Sequence, residues 1–386
     1  MGNRKRKMSM NKDKINLDEL LKAAIRLGAS DIHLKVNRTP VFRINGKLVQ
    51  LKEAPAITEE NNREIAYSIM NEWQTKKFEE NLEMDLAYSI SGLSRFRVNI
   101  FQQRGTLSIA IRAIPYEILG FDELNLPPVV KSIAEEERGL VIVTGTTGSG
   151  KSTTLASIVN YINSTKARHI ITIEDPIEYM QNDKLSYINQ REIGIDTRNF
   201  KNALRASLRE DPDVILVGEM RDLETMEICM SAAETGHLVF TTLHTLDAQE
   251  TINRILTVFP VHQHNQVRYQ LAQVLKAILS QRLMPRADKE GRVPAIEVLL
   301  GTARVRDLIA TPERTKEITQ AIAEGNLHYG MQTFDQCLFD LYGKGMITYD
   351  EAMRQATNKD DLALRIQGVT TGSVTLDMNE YEQRTN

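Results

Sequence analysis

The sequence predicts an α/β protein in two parts: a β-rich α+β domain, then a mainly parallel α/β domain with a helical C-terminal region. Three observations carry this expectation. Near the start, DIHLKV and VFRINGKLVQL alternate apolar and polar residues around Asn45-Gly46, the pattern of half-buried strands joined by a two-residue type I′ turn. From Gly139 the apolar runs become continuous, in LVIVTG, HIITIED, DVILVGE and HLVFTTLH, as strands covered on both faces require. Between the two patterns, Pro115 and Pro127-Pro128 punctuate a stretch of little periodicity and mark the boundary. A chain of 386 residues is also long for one core.

Composition excludes several classes. Hydrophobic residues make up 41% and charged residues 26%, ordinary globular usage, and a net charge of −3 offers no global attraction to nucleic acid. Cys229 and Cys337 form no CxxC pair, so neither a disulfide framework nor a four-cysteine zinc site is expected. No apolar run is long enough to span a bilayer and the start lacks a signal-peptide core. The expectation is a cytoplasmic chain with no membrane insertion and no nucleic-acid partner.

Residues 1–14 carry the basic cluster Arg4 to Lys7 and are expected to be a disordered tail. Leu17, Leu20, Leu21, Ala24 and Ile25 recur at helical spacing, with Gly28 as the stop. The first domain runs over 15–114, with a helix over 59–80 and short strands from Leu82 to Ile114 turning at Ser91-Gly92 and Gln103 to Gly105. Residues 115–130 are a linker, 131–368 the second domain, and 369–386 a disordered polar tail. Within the second domain, Val267, Leu271, Val274, Leu275, Ile278 and Leu279 predict one amphipathic helix ending near Pro285. Thr348 with Glu351 has the spacing of a helix-starting capping box.

One stretch carries chemistry. Gly145, Thr146, Thr147, Gly148, Ser149, Gly150, Lys151 and Ser152 satisfy GxxxxGK[ST], followed by Thr153, with a strand before and a helix after. Glycines let successive amides converge on a phosphate, and the helix aims its positive end at the same anion. Lys151 is expected to reach the β- and γ-phosphates of ATP, and the Ser152 hydroxyl to bind Mg²⁺. Ligands of open α/β sheets lie beyond the carboxyl ends of the strands, where HIITI ends in Glu174-Asp175, with Glu178 close behind, and DVILVG ends in Glu219. Gly218 precedes Glu219 where an acid is usual, so Glu219 is expected to orient water or hold the metal through it. Acids at such positions also serve as helix caps. Asp213, at the start of that strand, reads as a structural turn residue. His237 and His244 bracket HLVFTTLH, and only one of them can reach a given phosphate; the carboxyl-end His244 is favoured. His262 and His264 read as a surface turn. In SRFRVNIF, Arg95 and Arg97 share a sheet face, and Arg112 of LSIAIRAI returns beside them. Two readings stand: a solvated basic face, or arginines that complete the nucleotide site, where such a residue is worth about 10³–10⁵ in rate.

Together GASDIHL, GTTGSGKST, ITIEDPIEY, LREDPDVILVGEMRD and TGHLVFTTLH resemble the secretion-type motor ATPases, and within them the PilT- and PilU-like proteins that retract type IV pili. The resemblance runs from about Ile15 to Ile366. It implies a PAS-like N-terminal domain, a RecA-like P-loop ATPase domain and a homohexameric ring peripheral to the inner membrane, where a pilus platform protein and a paralogous retraction ATPase are its partners. It also implies Glu219 as catalytic glutamate, Glu178 as a second acid, His237 and His244 as His-box residues at the nucleotide, and Arg95, Arg97 and Arg112 as arginine fingers. The four-cysteine insertion of assembly motors is missing, which favours retraction. The retraction signature AIRNLI is altered to Arg304-Val-Arg-Asp-Leu-Ile309, keeping Arg306, Leu308 and Ile309. The rival readings are an assembly or secretion motor of the same superfamily, and a nucleotide-regulated adaptor that hardly hydrolyses.

Overall fold

The computed structural model describes residues 14–44, 46–90, 92–114 and 118–368. The Arg4 to Lys7 cluster, Asn45, Ser91 and residues 369–386 lie outside the described residues. The chain divides into two compact units: Met1–Glu117 with Glu178–Met180, and Ile118–Ile177 with Gln181–Asn386.

The first unit opens with helix Leu17–Arg26, whose N-cap Asn16 side chain accepts from the Glu19 amide at 3.1 Å. Its apolar stripe, Leu17, Leu20, Leu21 and Ala24, is buried. Strands β1 (Ala29–Lys35), β2 (Val41–Ile44), β3 (Lys47–Gln50), β4 (Glu83–Ile90), β5 (Ser94–Gln103) and β6 (Thr106–Ile114) form a six-stranded antiparallel sheet in the order β3-β2-β1-β6-β5-β4. Ile44 pairs with Lys47, which fixes a two-residue hairpin loop. Phe96, Val98 and Ile100 of β5 are fully buried among Ile32, Leu34, Phe42, Ile109 and Ile111. The helix expected over 59–80 is two, Glu59–Ser68 and Glu72–Asn81. Asn71 starts the second, its side chain accepting from Gln74 N while Gln74 Oε1 accepts from Asn71 N, a reciprocal cap that interrupts the pattern.

The second unit is built on a seven-stranded sheet of β7 (Gly139–Thr144), β8 (His169–Glu174), β9 (Tyr187–Glu192), β10 (Val214–Val217), β11 (Leu238–Leu243), β12 (Leu275–Pro285) and β13 (Arg292–Leu300), ordered β13-β12-β7-β11-β10-β8-β9. All pairs are parallel except β12 with β13. Leu140 and Ile142 of β7 enter one core and Val141 and Val143 the other, which is why this strand reads as a continuous apolar run. Helices Val129–Ala134 and Lys151–Thr165 cover the second core. Residues 118–130 are no free linker: Leu126 and Val130 are buried in that core and the Phe121 ring stacks on Tyr161 at 5.0 Å.

The single helix expected from Val267 to Leu279 is overturned. Helix His264–Val274 stops, and Leu275, Ile278 and Leu279 belong to β12, which lies beside β7 with Ile278 opposite Ile142. A strand buried on both faces satisfies helical spacing by chance, and periodicity does not separate the two. Further along, the retraction-signature segment forms helix Ala303–Ala310, with Val305, Leu308 and Ile309 buried, Arg306 Nε donating to Gly301 O at 2.9 Å, and Arg304 paired with Glu324. Thr348 caps helix Tyr349–Gln355 through the Glu351 amide, but Glu351 turns to Arg354 and Gln355 instead of closing the box. The C-terminal helices bury Phe334, Leu338, Leu341 and Leu362 against Met284, Val293 and Ala295 of β12 and β13.

Candidate active site

Parallel register brings the chemistry-bearing residues of the second unit to one edge of its sheet. Leu243 pairs with Thr144, Thr241 with Val217 and Val217 with Ile173, so β7, β11, β10 and β8 all end there. After Thr144 the chain turns through Gly145 to Gly150 into the 15-residue helix Lys151–Thr165. Gly145, Gly148 and Gly150 have φ of 136°, 81° and 94°, conformations that L side chains rarely adopt. Thr146, Thr147 and Gly148 are exposed, Ser152 and Thr153 half-buried, and Ser149 buried. Lys151 is only 9% exposed, and its Nζ donates to the carbonyls of Gly145 (2.8 Å) and Thr146 (3.0 Å), which hold the ammonium group at the loop. Among the described residues, the buried hydroxyls of Thr144 and Ser149 find no hydrogen-bond partner, as suits a site completed by a phosphate.

Gly145 is fixed twice over. A Cβ there would meet Gln281 O of β12 at 2.4 Å and Ser149 Oγ at 2.6 Å. Gly145→Ala is therefore expected to cost about 1–3 kcal/mol in backbone strain and to weaken nucleotide binding at least about tenfold as the loop shifts; thermal unfolding and ADP titration check both.

Glu219 follows β10 with its side chain 18% exposed, accepting from Arg221 Nε at 2.8 Å and lying 3.4 Å from His244 Nε2 at the end of β11. The backbone between them is locked, since Thr242 Oγ1 donates to Gly218 O at 2.6 Å and Met220 N to Thr242 O at 3.2 Å. The glycine before Glu219 has a packing reason. A Cβ at Gly218 would sit 3.3 Å from Ile173 O and 3.4 Å from Glu174 Cα, while its N–H donates to Ile173 O at 2.8 Å. The strand end is pressed against its neighbour, and a larger side chain would push the two apart.

Two expected nucleotide contacts are not brought to the loop. His237 stands at the amino end of β11, its Nδ1 2.9 Å from Ala232 O, about 20 Å from the loop edge across a six-residue strand. Glu174 lies on β8, three strands from β7 or roughly 14 Å away, and its Oε1 accepts from Thr172 Oγ1 (2.6 Å) and Gln190 Nε2 (3.2 Å). It ties β8 to β9. Asp175 and Glu178 are exposed in the following turn, which the buried Glu192 steadies by accepting from Ile177 N at 3.3 Å. Asp213 has the structural role expected, accepting from His169 N at 2.8 Å and Arg168 Nη1 at 3.1 Å.

In the first unit Arg97 pairs directly with Arg112, and Arg95 shares their face. Neighbouring strands supply anions. Arg112 Nε donates to Asp31 Oδ1 at 2.9 Å, Arg43 lies 3.6 Å from Asp31, and Arg97 lies 3.9 Å from Asp85. Burial alone raises the Asp31 carboxyl, but the Arg112 and Ser30 hydrogen bonds outweigh it and hold it below its ordinary range. The cations gathered on this face are thus partly offset by acids of the same sheet.

Three residues around the candidate site of the second unit had no sequence signal. Gln281 and Glu297 lie on β12 and β13, a pair the sequence does not announce, and Gln281 is buried with its Nε2 donating to Thr154 Oγ1 at 2.7 Å. Arg221, two residues from Glu219, reads as an ordinary surface cation. Among the described residues no group of three or more His, Cys, Asp or Glu side chains could hold a metal ion. Mg²⁺ bound chiefly by phosphates and water needs little more than a hydroxyl and one carboxylate, groups of the kind that Ser152 and Glu219 would offer.

The sequence matches the family model for Type II/IV secretion system protein over residues 9–377. It is 44% identical over 342 residues to the Type IV pilus retractation ATPase PilT of Pseudomonas aeruginosa, covering 89% of this chain and 98% of that one. It is 41% identical to the Type IV pilus ATPase PilU of the same organism, covering 92% of each. A crystal structure of the pilus retraction motor PilT with bound ADP superposes with a TM-score of 0.83 at 48% identity, covering 91% of this chain and 99% of that one. With this coverage and the glycine-rich loop in place at the strand edge, the chain belongs to the Type II/IV secretion system protein family.

Proposed function

We propose that this chain is an Mg²⁺-dependent ATPase that powers type IV pilus retraction. The observation that carries the reading is the near end-to-end likeness to a pilus retraction ATPase. Support at the site comes from the loop lysine and the Glu219–His244 pair sharing one sheet edge. The same reading names the first unit PAS-like and the second RecA-like, and makes the working form a homohexamer on the cytoplasmic side of the inner membrane, docked on a pilus platform protein. No helix among the described residues is long and apolar enough to cross a membrane.

The amides from Gly145 to Thr153 receive the terminal phosphates, and Lys151 Nζ exchanges its loop carbonyls for β- and γ-oxygens. Mg²⁺, when bound, offsets charge on those oxygens, with Ser152 Oγ and the Glu219 carboxylate to hold it. Glu219 orients the attacking water, and His244 beside it limits the directions that the carboxylate can take. Glu178 acts as a second acid, and Arg95, Arg97 and Arg112 as cations for the phosphates. Gly218, which stands where an acid is usual, has a packing reason and does not favour the weakly hydrolysing adaptor.

Deleting the gene in its own host tests the reading. The expected outcome is abundant surface pili that do not retract, with retraction restored by the wild-type gene and not by Glu219→Gln. A deletion strain without surface pili would make the chain an assembly motor.

A further inference from the structure

We propose that Glu297 is a positioning residue for hydrolysis, fixing from β13 the turn that carries His244 and, through His244, the Glu219 carboxylate. The inference rests on the ATPase reading. Glu297 pairs with Ser280, which pairs with Thr144, so it stands level with the last residue of β7, at the sheet edge where the glycine-rich loop begins. Its side chain is buried at 5% exposure, and Oε1 accepts from the Ala248 amide at 2.8 Å across 49 residues of sequence.

Ala248 is the first residue of helix Ala248–Val258, and the turn leading into it is tied residue by residue. Asp247 Oδ1 takes the Glu250 amide at 2.7 Å, Glu250 Oε2 takes the Leu246 amide at 2.8 Å, and the Thr245 and Thr251 hydroxyls lie 2.6 Å apart. These ties are internal to turn and helix, whereas Glu297 anchors the assembly to the sheet. His244 comes immediately before, 3.4 Å from Glu219. A shift of the turn would move the imidazole and release the carboxylate to Arg221, which already holds its other oxygen.

The chemistry at Glu297 argues for more than packing. Its carboxyl is pushed up to about 7, with burial the largest cause; the Ala248 amide works against the rise, Asp247 on the helix cap adds to it, and Arg282 and Ser280 on β12 oppose it. Arg282 is itself engaged elsewhere, donating to Gln355 O at 2.6 Å and stacking over the Phe334 ring at 3.8 Å, with Asp335 nearby. A neutral side chain of the same shape would be easier to bury. Only the ionised oxygen, however, grips a helix-start amide with the strength of a charge-assisted bond.

The signs of the two consequences are opposite. Because the folded-state value lies above that of the unfolded chain, the contribution to stability is present at low pH and lost as pH rises toward 7 and beyond. The grip on Ala248 strengthens over that same range. The test uses the full chain, wild type and Glu297→Gln, with ATP turnover from pH 6 to 8.5 and thermal unfolding at pH 5 and 8. Expected are a wild-type kcat that rises through about pH 7, a Glu297→Gln kcat on the order of tenfold lower at pH 8 without that rise, and KM for ATP within about twofold. The variant's melting temperature should gain on the wild type between pH 5 and pH 8. If Glu297→Gln keeps the wild-type rise, the titrating group is another one and the inference falls. A loss of kcat matched by equal destabilisation at both pH values would make Glu297 structural and also overturn it. A wild type that binds but never hydrolyses ATP overturns the inference together with the reading beneath it.

Discussion

Lys151→Ala is expected to lower ATP turnover by about 10²–10³-fold or more, the loss that follows removal of one preorganised charge donor at a transition state. The side chain is buried at the first residue of helix Lys151–Thr165 and held by the carbonyls of Gly145 and Thr146, so its charge is delivered to the loop without searching for it. Alanine removes the cation and leaves both carbonyls without that donor, which is expected to cost about 1–2 kcal/mol of stability as well. Nucleotide affinity should fall too, because Lys151 meets phosphates in ground state and transition state alike. Binding of a fluorescent ADP analogue and single-turnover hydrolysis, read beside a thermal melt, check the three effects. A folded variant with undiminished affinity and turnover would remove Lys151 from the site.

Glu219→Gln is expected to reduce kcat by about 10²–10⁴-fold, the range for loss of a positioned acid–base group, while ATP binding changes little. Gln preserves the shape of the side chain and can still accept from Arg221, so the turn after β10 should keep its course. What disappears is the negative charge that His244 and a water would share. The variant is therefore expected to hold ATP without turning it over, visible as retained ATP on the protein after rapid gel filtration. Wild-type turnover would assign the role elsewhere, with Glu178 the next residue to test.

The most legible parts of the sequence were those governed by local rules. The strand-to-helix glycine turn, the runs buried on both faces and the alternation that sets Arg95, Arg97 and Arg112 on one sheet face each follow from backbone geometry within a few residues. What escaped depended on tertiary neighbours. Leu275, Ile278 and Leu279 fit a helix by spacing alone and form a strand because β12 lies beside β7, and the places of Gln281 on β12 and Glu297 on β13 depend on that same pairing. Glu174 and His237 carry suitable chemistry, but strand order and strand direction take them elsewhere, to β9 in one case and to the far edge in the other. Gly218 resembled a missing acid because its neighbour, the β8 backbone, is not adjacent in sequence. Spacing places residues along an element; which elements become neighbours is decided by packing.

On the ATPase reading, the loop after β7 and the glutamate after β10 together hydrolyse ATP. The decisive measurement is steady-state phosphate release by the purified wild-type chain, with Mg²⁺ and with the metal chelated. Sustained multiple turnover is expected with the metal, and none without it. Tight nucleotide binding with no phosphate release under either condition would contradict that reading.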